Sequence, residues 1–241
     1  MTVLFKNKID GVTYEVRSAG NTRRLYTNGA FHTQFNPQHL FTSGVWDLLS
    51  LPSLCLPTPP KKVLVLGVAG GTVIHQLCEM HRLEKIVGIE LDSTHVQLAT
   101  DYFQLDYSEL ELVHADARQW LESCSDQFDY IVDDVFIHAE GDPERPYAAD
   151  PRWFSMLTQH LTINGTIVQN HIDNRQSKRA LGYFSRGAVL EFSTENYANK
   201  VLAWFKSGTG KVLKKNLQEG LKQWPRSTTH RLRHRCRVIS R

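Results

Sequence analysis

Between residues 60 and 170 short apolar runs alternate with segments whose apolar positions recur every three or four residues. Residues 63–66 (VLVL), 86–89 (IVGI), 110–113, 130–132 and 165–169 are the runs, as expected of strands covered on both faces. Residues 72–80 place Val73, Ile74, Leu77 and Met80 at helical spacing, and helices are also predicted over 93–102, 118–122 and 153–161. This alternation predicts an α/β fold: a Rossmann-like, doubly wound, mostly parallel sheet. Residues 189–192 and 201–205 read as two more strands, close enough in sequence to pair antiparallel.

The flanks read differently. Residues 13–17 and 31–35 alternate, and Asn28-Gly29 is a strong hairpin signal, so a small N-terminal β-hairpin unit is expected. Residues 45–51 read as a short helix, and Pro57, Pro59 and Pro60 as a stiff connector. After the last paired strands come a helix over 211–224 and a basic alternating segment over 231–239. The expected division is 1–56 (β unit and lead-in helix), 57–206 (Rossmann-like cofactor-binding domain) and 207–241 (basic helix and strand extension).

Composition narrows the class. The 241 residues are 41% hydrophobic and 22% charged, which fits a globular chain and excludes a disordered, collagen-like or coiled-coil one. No apolar run approaches the roughly 18 residues of a membrane span, and Lys6, Lys8 and Asp10 interrupt any signal-peptide core. Cys55, Cys78, Cys124 and Cys236 lie far apart without a CxxC pair, so neither a zinc ribbon nor a disulfide scaffold is expected and a cytoplasmic location is the default. No histidine pair has metal-ligand spacing with a carboxylate, so no metal is expected; GxSxG is absent.

The net charge of +3 hides an uneven distribution. From Lys206 onward eleven Lys and Arg face one acid, Glu219, a balance of +10, while the preceding residues balance at −7. The tail has three readings: a solvated face, a contact for an acidic partner or nucleic-acid phosphates, or a strand folded back on the acidic body. The alternation of arginines 231, 233, 235 and 237 with Leu232, His234, Cys236 and Val238 favours the third. Nucleic acid ranks low among partners, and no membrane is expected.

Candidate chemistry gathers at the C-terminal strand ends, where ligands of such sheets bind. Residues 66–71 (LGVAGG) form a glycine-rich strand-to-helix turn, though neither GxGxxG nor a P-loop. Glu90 follows the second strand, placed to accept hydrogen bonds from a ribose diol. Asp116-Ala117 follows the third, where a carboxylate and a backbone N–H suit an amino-purine edge. Asp133-Asp134 follows the fourth; adjacent acids point apart, so at most one faces the cleft. His138 is a candidate general base. His171 and Asp173 follow the fifth strand and are weaker candidates for the cleft.

In that order and spacing, VLVLGVAGG, IVGIELD, VHADAR and FDYIVDD resemble the core of class I S-adenosylmethionine-dependent methyltransferases. The chain resembles most the spermidine synthase (polyamine aminopropyltransferase) branch, in which a small β unit precedes the core, as RRLYTNGAFHTQFNP does here. The resemblance, over about residues 23–169, implies that Gly67 and Gly71 approach the cofactor, that Glu90 meets the ribose hydroxyls and that Asp116–Ala117 meet the adenine. It also suggests a homodimer through the N-terminal unit. Three departures weigh against polyamine chemistry. Where the family has Asp-Ser-Ser-Asp-Pro, this chain has Asp134-Val135-Phe136-Ile137-His138, so isoleucine stands at the catalytic aspartate. The Asp of the family's glycine loop is Gly70. The family's Tyr-His/Gln-Glu motif falls near GVWD (44–47) and is unmatched.

The first-ranked reading is therefore a spermidine synthase-like transferase that binds S-adenosylmethionine or a related nucleoside and moves a methyl or other alkyl group to an unidentified small-molecule acceptor. Asp134, with His138, would orient the nucleophile or take its proton. The alternatives are true aminopropyl transfer from decarboxylated S-adenosylmethionine and a non-catalytic nucleoside-binding or interaction module.

Overall fold

The computed structural model describes residues 1–138, 143–147, 150–184 and 186–239. The chain opens with an antiparallel meander of four strands, β1 (Thr2–Ile9), β2 (Val12–Ala19), β3 (Thr22–Thr27) and β4 (Ala30–Phe35). Sequence reading expected a hairpin at Asn28-Gly29. The structure has a second two-residue turn at Asp10-Gly11, where both residues adopt positive φ as at Asn28-Gly29. Tyr14, Val16, Leu25 and Phe35 turn inward from this sheet and pack on Leu98 and Phe103.

Helix α1 (Val45–Ser50) runs into a 3-10 turn, Leu51–Cys55, that starts at a proline-containing step. The alternating core follows: β5 (Lys62–Leu66), α2 (Thr72–Met80), β6 (Lys85–Glu90), α3 (Ser93–Phe103), β7 (Leu110–His114), α4 (Ala117–Ser123) and β8 (Phe128–Asp133). A small ladder of β9 (Ile137–His138) and β10 (Pro143–Glu144) precedes α5 (Pro151–Gln159), β11 (Leu161–His171) and α6 (Asn174–Ala180). Strands β12 (Ala188–Ser193) and β13 (Lys200–Phe205), helices α7 (Gly210–Lys222) and α8 (Arg226–Thr229), and β14 (Arg235–Ile239) complete the described chain.

The main sheet has the order β14-β12-β13-β11-β8-β5-β6-β7. Strands β7, β6, β5, β8 and β11 are parallel; β13, β12 and β14 join antiparallel. This is the expected doubly wound sheet. The order reverses between β5 and β8, so the crevice opens above their C-terminal ends.

One apolar layer, from α1, α2 and α7, covers one sheet face; a second, from α4, α5 and α6, covers the other. That two-sided cover is why the central strands read as continuous apolar runs. The basic tail folds back as the edge strand β14. Arg237 forms a two-pronged ion pair with buried Glu191 on β12 (2.8 and 2.9 Å), and Arg235 pairs with Glu195. No helix among the described residues is long and apolar enough to cross a membrane, and all four cysteines are free.

Candidate functional site

A cavity of about 730 Å³ lies over the switch point, between the strand ends and the N-terminal sheet. Its size lies within the range of small-molecule sites, roughly 300–1,000 Å³. Of the residues expected there, Gly67, Glu90, Asp116, Ala117 and Asp134 line it.

The glycine turn is shaped by its surroundings. Gly67 has φ +83°, and a Cβ there would stand 2.3 Å from the Asp134 carbonyl oxygen. The strand end of β8 thus lies directly on this turn, and only glycine permits the approach. Gly71 also has positive φ and caps α2, but faces Leu105 and is not in the cavity wall. At Gly70 the space for a side chain is taken by Thr33 of β4, whose methyl would lie 2.3 Å from a Cβ. Thr33 Oγ1 is 2.6 Å from Thr72 Oγ1. Packing of the N-terminal sheet on the turn therefore accounts for glycine at this position.

Glu90 ends β6 nearly buried. Its Oε2 accepts from the Val68 and Ala69 N–H groups (2.9 and 2.8 Å), and its Oε1 from Asp92 N–H (3.0 Å). The carboxylate thus ties the glycine turn to the second strand and keeps one Oε1 lone pair for a further donor. Asp116 caps α4 through Oδ1, which accepts from Arg118 and Gln119 N–H (2.9 Å each). Its Oδ2 takes no part in that cap. Asp92 caps α3 and accepts from the Tyr14 hydroxyl (2.7 Å), joining the N-terminal sheet to the cavity rim. Burial and the neighbouring Asp92 push the Tyr14 phenol up to about 12, so it remains a donor.

The two acids at the end of β8 diverge as alternation requires. Asp134 faces the cavity, and its Oδ1 accepts from Asn170 Nδ2 (2.8 Å), which Asn199 holds in turn (3.0 Å). Burial pushes the Asp134 carboxyl up to about 7; Asn170 and Arg145 oppose that shift, while Asp133 and Glu90 add to it. Asp133 points into the opposite layer and accepts from Arg145 (2.7 Å), Trp153 (2.8 Å) and Gln169 (2.7 Å). Burial pushes its carboxyl up, but the Arg145 charge and these hydrogen bonds outweigh that and hold it below the usual range.

Other candidates fall elsewhere. His138 belongs to the short strand β9; its side chain lies outside the described residues. Ile137 and Phe136 do line the cavity, giving that part an apolar wall. His171 does not reach the cleft: it is the last residue of β11 and buried, and burial with Arg145 nearby pushes its imidazole down to about 3. Asp173 caps α6. Asp47, from the unmatched GVWD segment, is buried beneath the 42–44 turn and accepts from Thr42, Ser43 and Gln76. Its neighbours Val45 and Trp46 reach the cavity instead.

Sequence reasoning missed Asn170 and Asn199. Asn170 had a signal: it lies in the last two residues of β11, one position beyond the Gln169–Asp133 pairing and so beside Asp134. The N-terminal wall residues Tyr14, Phe31 and His32 had none, because nothing in the sequence says where the β unit docks.

The family model for the spermine/spermidine synthase domain matches residues 47–180. This chain belongs to the spermine/spermidine synthase family. A curated relative, "Probable polyamine aminopropyl transferase" of Bifidobacterium longum, is 25% identical over 207 residues, which are 81% of this chain and 45% of the relative. The chain thus spans under half of that relative's length. Among solved structures, a "probable spermidine synthase" from Corynebacterium glutamicum superposes with a TM-score of 0.75 at 15% identity, covering 99% of this chain and 91% of that one. A spermidine synthase in complex with the transition state analogue AdoDATO matches with a TM-score of 0.65 at 15% identity, covering 86% and 73%. The spermidine synthase-like fold inferred from the strand-end motifs is thereby established.

Proposed function

We propose that the chain is an aminopropyltransferase-type enzyme, taking a decarboxylated S-adenosylmethionine-class donor and an amine acceptor. The observation that carries this is the charge of the cavity. Its described wall holds the carboxylates of Asp10, Glu90, Asp92 and Asp116, together with the Asp134 carboxyl that titrates near neutral pH, and no lysine or arginine. Such a wall favours a ligand with a sulfonium and an ammonium and disfavours one ending in a carboxylate. Arg145, the nearby guanidinium, is spent on Asp133. Family membership and the polyamine aminopropyltransferase relative support the same reading. The sequence ranked methyl or other alkyl transfer first; this evidence moves the aminopropyl alternative ahead of it.

The residues fit such a donor. Gly67 lets the backbone approach, Glu90 Oε1 and Asp116 Oδ2 remain for ribose and adenine donors, and Trp46, Tyr147 and Tyr197 offer aromatic walls. When bound, a donor of this class supplies an electrophilic carbon on a sulfonium. The protein's part is to align the acceptor nitrogen, exclude water and receive a proton. Asp134 is the group for that last task. Asn170 fixes its Oδ1, leaving Oδ2 for the amine, and its raised pKa matches a base working near neutral pH. In this reading Asp134 takes over the role that the family resemblance assigns to position 137, where isoleucine stands. Ile137 also favours one second reading, a nucleoside-binding protein without transfer.

Calorimetry with decarboxylated S-adenosylmethionine, S-adenosylmethionine and 5′-methylthioadenosine tests the proposal. The decarboxylated form is expected to bind at least tenfold more tightly than S-adenosylmethionine. Binding of none would overturn the reading, and preference for the carboxylated form would restore methyl transfer. Binding without turnover on any amine would favour the non-catalytic alternative.

A further inference from the structure

Asp133 and Arg145 are a buried ion pair that the chemistry above does not use. Their side chains are 0% and 1% exposed, with Nη2 to Oδ2 at 2.7 Å. Arg145 Nη1 also reaches the Asp133 carbonyl oxygen (3.3 Å). The same carboxylate oxygen accepts from Trp153 on α5 and Gln169 on β11. Arg145 belongs to the short segment 143–147. The next two residues, Pro146 and Tyr147, form part of the cavity wall. Tyr147 stacks on Trp153 (4.5 Å between centroids, 26°) and lies under the Arg118 guanidinium at 5.7 Å. Tyr147 and Asp116 line the same cavity, and Arg118 over the Tyr147 ring follows Asp116 by two residues, so this ring borders the place assigned to the adenine.

As a source of stability the pair is poorly built. Arg145 Nε and Asp133 Oδ1 are buried with no hydrogen-bond partner among the described residues. A desolvated pair with orphaned atoms contributes little net stability compared with apolar side chains of the same volume. What it supplies is direction: one carboxylate binds the wall segment to β8, β11 and α5 together.

We propose that Asp133 and Arg145 are positioning residues, a latch that fixes Pro146 and Tyr147 as the nucleoside-side wall and turns the guanidinium away from the cavity. The naming of that wall rests on the function proposed above; the latch itself is a property of the chain alone.

The test compares Arg145→Met, Arg145→Lys, Asp133→Asn and the double variant Asp133→Asn/Arg145→Met. The first readout is amide hydrogen exchange in the ligand-free protein. In Arg145→Met the amides of Glu144 and Tyr147 are expected to exchange at least tenfold faster relative to those of the β5 and β8 core. Arg145→Lys should recover part of the protection, and the double variant should open the segment no further than either single one. The second readout is affinity for 5′-methylthioadenosine, expected to fall at least tenfold in Arg145→Met and to be partly restored in Arg145→Lys. Exchange that rises equally in segment and core, or additive effects in the double variant, would overturn the latch. Wild-type protein that fails to bind 5′-methylthioadenosine would overturn the nucleoside reading alone, and the exchange comparison would still decide the latch.

Discussion

The carbonyl oxygen of Asp134 lies 2.3 Å from where a Cβ on Gly67 would stand, so the turn after the first core strand and the acid after the fourth are packed backbone to backbone. Two motifs 67 positions apart in sequence are thereby one structural unit. Gly67→Ala should strain that contact and a left-handed backbone at once. We expect a loss of roughly 1–3 kcal/mol in stability, read by denaturant unfolding, together with loss of nucleoside binding. A variant that unfolds and binds like the wild type would mean the turn can relax.

Glu90 holds the glycine turn and keeps one lone pair for a ligand. Glu90→Ala is expected to weaken nucleoside binding at least tenfold, about 1.4 kcal/mol. Because Val68 and Ala69 N–H also lose their acceptor, a fall in melting temperature should accompany it. Unchanged affinity would remove Glu90 from the site.

The pH dependence of Asp134 has a definite sign. Its carboxyl is raised from 3.8 to about 7, so between about pH 4 and 7 the folded protein holds a proton that the unfolded chain has released. This group therefore makes stability fall as pH rises through that window and level off above 7. Buried His75 (about 4) and His171 (about 3) act oppositely, costing stability as pH falls below 6.5. The difference between wild type and Asp134→Asn isolates the aspartate: the variant should lose the downward slope. Turnover, if Asp134 is the base, should rise with pH through about 7 and vanish in Asp134→Asn. Turnover in that variant with an unchanged pH profile would assign the proton to another group.

At the other edge of the sheet, Arg237 is the partner of buried Glu191. Arg237→Ala should cost on the order of 1 kcal/mol, less in high salt. The loss should be larger than for Arg235→Ala, because Arg235 and Glu195 are both exposed. Equal and negligible losses would mean β14 is held by its backbone ladder alone. Salt-insensitive binding of nucleic acid, or binding that persists without residues 226–241, would count against any role of the tail in that contact.

Periodicity and strand-end chemistry made the core legible from the sequence alone. A strand covered on both faces has to be apolar throughout, and a ligand-facing residue of a parallel sheet has to follow a strand; both are local rules. They sufficed to place Gly67, Glu90, Asp116 and Asp134 around one crevice, whereas the turn at Asp10-Gly11, an Asp-Gly pair of the kind hairpins favour, went unread in the sequence. Tertiary structure alone decided the rest, because it depends on groups distant in sequence. It sent Asp133 into the core to meet Arg145 and Asp134 into the cavity to meet Asn170. It set Thr33 against Gly70, docked the N-terminal sheet as the cavity's far wall, and buried His171 away from the chemistry that its sequence position suggested. The charge of the cavity belongs to this second class. Acidic side chains scattered from Asp10 to Asp134 come to line one wall only when the fold brings them together, and the proposed function rests on that wall.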